Sequence, residues 1–149
     1  MWLSEEEKCA KLVGKKILKI FINEQYLKFE TDQGAVCYFV EGDCCSTSYF
    51  HDFVGVEKLL KNGVVKSFKS IDVIPEDLEY DEKKPDSEYD DSIQVYGYEI
   101  VTEDPQFGDV TSVLAFRNSS NGYYGGSMEY TKTIADGNDM AEIMQDWSL

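Results

Sequence analysis

Three residues with metal-binding and nucleophilic chemistry, Cys44, Cys45 and His51, fall within one short stretch of the chain. Thiolate plus imidazole is the donor set of a structural zinc, and Asp43 or Asp52 would complete four ligands. The spacing is poor for that purpose. Two cysteines separated by about two to four residues turn both sulfurs toward one ion, whereas adjacent cysteines ordinarily point apart. Zinc at Cys44, Cys45 and His51 is therefore an option and no cofactor is required. The heavier reading makes this a structural loop whose cysteines pack as small apolar groups. The same residues could form a Cys-His nucleophilic pair, but His51 is the one imidazole in the chain, so no second histidine can relay a proton. Nor is there a glycine-rich phosphate loop. Acid-base catalysis needs one carboxyl in an apolar pocket, and the abundant carboxylates here sit in strongly polar surroundings. The expectation is a chain that is not an enzyme.

A second concentrated stretch is Phe116 to Gly126, FRNSSNGYYGG, in which Tyr123 and Tyr124 lie between glycine-containing turns. Exposed tyrosines on a constrained loop make good partner-binding anchors, because they offer large area at low entropy cost. The plainer alternative is an Asn-Gly hairpin whose tyrosines cover the sheet. A ligand-binding alternative uses the two tyrosines to stack on a nucleotide base while Arg117 and Asn121 grip its phosphate. Arg117 is the only arginine, which leaves little cationic help for an anionic ligand.

The third stretch is defined by charge. Residues 75–92 hold Glu76, Asp77, Glu79, Asp81, Glu82, Asp86, Glu88, Asp90 and Asp91 with two prolines and almost nothing apolar. Such a composition cannot offset ordering entropy by burial, so it reads as a solvated, mobile acidic loop. The whole chain carries a formal net charge of -15. Residues 1–74 are nearly neutral, with 11 acids against 10 lysines, while residues 75–149 place 18 acids against Lys83, Lys84, Arg117 and Lys132. A field of this sign repels nucleic acid and anionic membranes and attracts basic surfaces, including the phosphate-binding channels of nucleic-acid enzymes. The bland alternative is acidity kept for solubility.

These stretches must be positioned by a single domain. A chain of 149 residues with 42% apolar content can build a core without disulfides. Of the four cysteines, Cys44 and Cys45 could bridge only through a strained small ring, so reduced thiols are expected. No run approaches the roughly 20 apolar residues needed to span a bilayer, and the N-terminus has acids where a secretory signal needs a basic patch. The expected location is the cytoplasm.

Ser4 and Glu7 form a capping-box pattern that predicts a helix over 5–13, stopped by Gly14. Alternating residues predict strands over 17–24, 26–31 and 35–40, joined by turns at 23–25 and 32–34. Residues 41–49 read as a loop, and FVGVEKLLKNG as a short helix using Phe53, Val56, Leu59 and Leu60. Further strands are expected over 64–74, 92–103, 111–118 and 127–132, with a short helix in the 133–149 tail from about 138 to 147. The fold expected is α+β: a mainly antiparallel sheet of five to seven strands, one or two short helices, a core over 12–132 and the acidic loop.

The chain resembles an uncharacterised family of small proteins found chiefly in phages and prophages. The resemblance rests on Leu12-Val13-Gly14-Lys15, on Gly42-Asp43-Cys44-Cys45-Ser46 followed by an aromatic, and on Arg117 through Gly126, and it covers roughly 12–130. Tyr49 stands where a tryptophan is expected, a change that keeps an aromatic. The resemblance implies a mobile-element setting without an established activity. Small acidic phage proteins are often inhibitors of host defence, CRISPR nucleases and restriction enzymes among them, and some look like structural zinc proteins. The function expected is an acidic anti-defence, anti-CRISPR type of inhibitor. Its carboxylates would block a basic surface on a host protein, with no direct nucleic acid or membrane partner.

Overall fold

The computed structural model describes residues 3–72, 92–120, 125–135 and 137–149. In chain order these form α1 (Glu5–Ala10), β1 (Ile17–Ile22), β2 (Tyr26–Thr31), β3 (Gly34–Gly42), β4 (Thr47–Val54), α2 (Val56–Lys61), β5 (Val65–Ile71), β6 (Ser92–Asp104), β7 (Gly108–Ser120), β8 (Gly126–Thr131), β9 (Ala141–Ile143) and β10 (Trp147–Ser148). The strands make two antiparallel five-stranded sheets, β8-β3-β2-β1-β9 and β10-β4-β7-β6-β5. They pack as a β-sandwich, which replaces the expected α+β fold with its single sheet of five to seven strands.

Local chemistry sets the hairpins. At the β1–β2 turn the Asn23 side-chain oxygen accepts from the backbone N–H groups of Gln25 (2.9 Å) and Tyr26 (2.7 Å), so the turn supplies its own hydrogen bonds. At the tip of the long β6–β7 hairpin, the Asp104 carboxylate accepts from Gln106 N–H (2.7 Å) and Phe107 N–H (3.1 Å). The capping box of α1 forms as expected, with Ser4 Oγ accepting from Glu7 N–H and the Glu7 carboxylate from Ser4 N–H. The helix itself stops at Ala10, three residues short of the expected end.

Two sheets rather than one follow from where the large side chains go. Phe29 of the first sheet meets Phe53 of the second edge to face at 6.2 Å, and Tyr38 meets Phe68 at 5.7 Å in the same geometry. Aromatic pairs of this kind add about 0.5–1.5 kcal/mol beyond their burial. Around them Ile20, Leu27, Ile100, Leu114 and Phe116 are fully or almost fully excluded from water.

Three expected elements are different in kind. Residues 41–49 are not one loop: β3 runs to Gly42 and β4 begins at Thr47, leaving a tight turn between. Phe53 belongs to β4 rather than to a helix. Between Phe50 and Asp52 the register of β4 against β7 shifts by a bulge, so Phe50 and Phe53, three apart, both reach the core. That spacing imitates a helical one. The expected tail helix is instead β9 and β10, which add to the edges of β1 and β4. The acidic loop expected over 75–92 lies, apart from Ser92, outside the described residues.

Candidate functional site

The stretch Gly42–Ser46 carries the chain from β3 in one sheet to β4 in the other, and residues 121–125 carry it back from β7 to β8. Because β3 neighbours β8 and β4 neighbours β7, the strand ends that these two connections join lie side by side. The register fixes this: Gly42 faces Gly126 in the first sheet and Thr47 faces Ser119 in the second. Two motifs far apart in sequence therefore share one end of the sandwich. Asp43 N–H donates to Gly125 O at 2.9 Å, and Ser46 Oγ donates to Asp43 O (2.8 Å) and to Gly125 O (3.2 Å).

The glycines are there for space. A Cβ on Gly126 would run into Ser48 Oγ and approach Asn118 Oδ1 to 3.1 Å and Glu41 O to 3.2 Å. One on Gly125 would come within 2.7 Å of the Tyr96 hydroxyl. Under the crossovers the core ends in polar groups instead of apolar ones. Ser48 Oγ donates to Asn118 Oδ1 (2.8 Å), Asn118 Nδ2 donates to Gln94 Oε1 (3.1 Å), and Gly126 N–H donates to the Tyr96 hydroxyl (3.3 Å). Asn118 is wholly buried. A half-buried network of this kind, centred on a buried amide, favours one arrangement of the groups it joins, here β4, β6, β7 and the start of β8.

Cys44 and Cys45 are exposed at the turn between β3 and β4, with their sulfurs 3.3 Å apart. His51 is elsewhere, in the β4 bulge, with Nδ1 3.0 Å from the Asp52 carboxylate. Among the described residues no three His, Cys, Asp or Glu side chains are grouped to hold a metal ion, so Cys44, Cys45 and His51 are not gathered as one ligand set. Asp52 is instead shared between His51 and Arg117, whose Nη2 lies 3.6 Å away. Both partners of this ion pair are buried, Asp52 at 3% and Arg117 at 6% exposure. Arg117 alternates with the core residue Phe116 and thus points to the opposite face of its sheet. The pair lies on the outer face of that sheet yet is shielded from water, and a phosphate-gripping role would require breaking it. Asn121, Tyr123, Tyr124 and the nine acids from Glu76 to Asp91 lie outside the described residues.

Sequence reasoning did not find Ser48, Gln94, Asn118 and Tyr96 as a connected group. The one available signal was polar residues at inward positions of otherwise apolar strands, and it is visible only once the register is known. It also missed how charge is compensated. Five carboxylates of the C-terminal half are bridged to lysines of the N-terminal half: Glu129 to Lys8 (3.2 Å), Asp104 to Lys58 (3.7 Å), Asp109 and Glu103 to Lys66 (2.7 and 4.0 Å), and Glu99 to Lys69 (3.1 Å). At the crossover end the balance differs. Glu24, Glu41, Asp43 and Asp72 are exposed, and among the described residues none of the four has an ion-pair partner.

Two clefts open beside this end. One of about 610 Å³ is lined by Glu24, Glu41, Gly42, Ser46 and Tyr49, and one of about 790 Å³ by Asp72, Tyr96, Tyr98, Phe116 and Gly126. Among the described residues no helix is long and apolar enough to cross a membrane. Residues 10–130 match the model of a domain of unknown function, DUF7448. Comparison with curated proteins and with solved structures finds no match.

Proposed function

The chain belongs to the DUF7448 family, a domain of unknown function, and we propose that it is a binding protein whose crossover end engages a cationic protein surface. The observation that carries this reading is the local surplus of carboxylate. Among the described residues Glu24, Glu41, Asp43 and Asp72 have no ion-pair partner, and they lie at the end of the sandwich where Ser48, Gln94, Asn118 and Tyr96 are joined by hydrogen bonds, whereas five acids on the strands are bridged to lysines. The segment 73–91, which leaves the described fold at Asp72 and rejoins it at Ser92, brings nine acids against two lysines. Ser92 pairs with Ser120, at the same end. Loops at one end of a sandwich are a common seat for recognition, because the sheets hold them without being altered by them.

The mechanism is steric and electrostatic. Carboxylates occupy lysine and arginine side chains that otherwise hold phosphate, so the partner cannot load nucleic acid. A host nuclease with a basic channel, CRISPR nucleases included, is a partner of that chemistry, and Tyr123 and Tyr124 supply apolar anchors within the same stretch. Catalysis and a resident cofactor are not needed for this activity. A nucleotide-binding reading is weaker, because Arg117 is already buried against Asp52.

The test is capture from a host-cell lysate with the full chain as bait, followed by affinity measurement on the captured protein at low and high salt. Charge pairs at an exposed interface are screened over about 10 Å at 0.1 M salt and about 3 Å at 1 M. Affinity should fall steeply as salt rises. The variant Glu41→Gln, Asp43→Asn, Asp72→Asn should bind less well than the variant Glu99→Gln, Glu103→Gln, Asp109→Asn, although each removes three charges. Salt-independent binding, or equal loss in the two variants, would refute the placement of the surface.

A further inference from the structure

We propose that Cys44 and Cys45 are an oxidant-reactive vicinal dithiol, a modification site at which a peroxide closes the two thiols into an intrachain disulfide. The geometry is already gathered. The sulfurs lie 3.3 Å apart in hydrogen-bond contact, and both residues are exposed. The other two cysteines are poor competitors. Cys9 and Cys37 are buried, and burial pushes both thiols up, Cys9 to about 11, so neither supplies much thiolate.

The backbone supports the same conclusion. Ser46 N–H donates to Asp43 O at 3.0 Å, closing a four-residue turn with Cys44 and Cys45 at its centre. Cys45 sits at φ 65°, in the left-handed region. A turn with positive φ at its third position ordinarily takes glycine or asparagine, and a larger side chain costs about 1–2 kcal/mol there. The conformation places the Cys45 sulfur against its neighbour instead of pointing the two apart. The Cys45 thiol is raised by the hydrogen bond with Cys44 and then by that group's charge, which reflects the same close contact of the two sulfurs.

The reaction balances with one peroxide. One thiol, as its thiolate, attacks a peroxide oxygen; the O–O bond breaks, a sulfenic acid forms, and the departing hydroxide takes up the released proton as water. The second thiol then attacks the sulfenic sulfur. The S–S bond forms, the S–O bond breaks, and the leaving hydroxide collects the second thiol's proton as another water. Two thiols and one hydrogen peroxide give one disulfide and two waters, with sulfur oxidised and peroxide oxygen reduced. A bridge between neighbours is strained and exposed, which makes it readily reversed by dithiols. Closure also resets the turn whose Asp43 N–H and Ser46 Oγ hold Gly125 O, so the two crossovers shift relative to each other.

The experiment treats the full native chain with hydrogen peroxide, alkylates it in denaturant and maps the peptides by mass. The expected result is loss of two hydrogens from the peptide containing Cys44 and Cys45, a fall from four alkylatable thiols to two, and recovery of all four with dithiothreitol. Backbone amide exchange at Asp43 and Ser46 should differ between oxidised and reduced forms, and the Cys44→Ser chain should show neither change. Dimers linked between chains, sulfinic acid without a bridge, loss of labelling at Cys9 or Cys37, or no reaction would each overturn the proposal. None of these outcomes depends on whether the crossover end binds a cationic partner.

Discussion

Replacing Gly126 by alanine tests whether the two crossovers are as close as the hydrogen bonds imply. Gly126 needs no special φ; what it lacks is room, since its added methyl group would overlap Ser48 Oγ and press on Asn118 Oδ1 at 3.1 Å and Glu41 O at 3.2 Å. Forcing a methyl into a packed site costs about 1–3 kcal/mol. Displacing Ser48 also breaks its bond to the wholly buried Asn118, and an unsatisfied buried polar group costs about 1–3 kcal/mol more. Some of the second cost overlaps the first, so the expected loss is about 2–4 kcal/mol, or roughly 4–16 °C in Tm for a chain of this size. Gly63→Ala is the control, because nothing lies within 4 Å of the position its Cβ would take and its φ is not positive. It should stay within about 0.5 kcal/mol of the parent. Urea unfolding followed by circular dichroism reads both, with the slope checked for constancy. Adding Ser48→Ala to Gly126→Ala removes the obstructing hydroxyl and should recover part of the loss, giving a coupling of opposite sign to the single effects. Equal urea midpoints for Gly126→Ala and Gly63→Ala would refute the close approach and with it the shared end.

Arg117→Met should destabilise by up to about 3–5 kcal/mol in urea, because it takes one of two partners from the buried Asp52 carboxylate and leaves it His51 alone among the described residues, and Asp52→Asn in the same chain should return much of that; a cost below about 1 kcal/mol would mean that Arg117 is available to a ligand after all. Stability should also fall at alkaline pH. Burial, with the Glu5 charge adding and Lys8 opposing, raises the Cys9 thiol to about 11 from an ordinary 9.0. Between those values the unfolded chain gives up a proton that the folded chain keeps, so the contribution is complete below about pH 9 and is lost as pH climbs toward 11. Tyr38 and Tyr98, raised chiefly by burial, act in the same direction above 10.0. So does Lys8 above 10.5, where burial's downward pull is outweighed by the bonds and charges of Glu5 and Glu129. Urea midpoints should be level from about pH 7 to 8.5 and drop beyond pH 9, and Cys9→Ala should drop less steeply by about one proton's slope, 1.4 kcal/mol per pH unit; a flat profile to about pH 11 would contradict the burial of these groups.

What the sequence disclosed was local. The Ser4–Glu7 box, the Asn23 turn and the alternation of β1 to β3 are set within a few residues, and each formed. What it hid depended on distant partners. β4 was masked by the polar turn before it, which Thr47 and Ser48 continue in sequence, and by the bulge at His51, which spaces Phe50 and Phe53 as a helix would. β9 and β10 are three and two residues long and exist because β1 and β4 offer them an open edge. Missing those three strands is what turned a sandwich into a single expected sheet. At the site, both conspicuous motifs were visible as motifs, yet nothing in their composition said that they adjoin. That fact belongs to the strand order, in which β3–β8 and β4–β7 are neighbouring pairs in opposite sheets.

The same dependence on pairing redistributes the charge. Along the chain the acids crowd into the C-terminal half, which suggests one broad negative field. In the fold, lysines from β5 and from the two helices sit opposite carboxylates of β6, β7 and β8, and that part of the field is cancelled over distances of 2.7 to 4.0 Å. Apart from the largely buried Lys8–Glu129 pair, such solvent-facing pairs add little stability, about 0–1 kcal/mol each, so their main effect is on the potential outside the molecule. Among the described residues they leave the strand surfaces of the second sheet close to neutral and the crossover end, with Glu24, Glu41, Asp43 and Asp72, negative by contrast. A cationic partner approaching such a molecule is oriented as well as attracted, because a localised charge gives the encounter a preferred face where a uniform one would not.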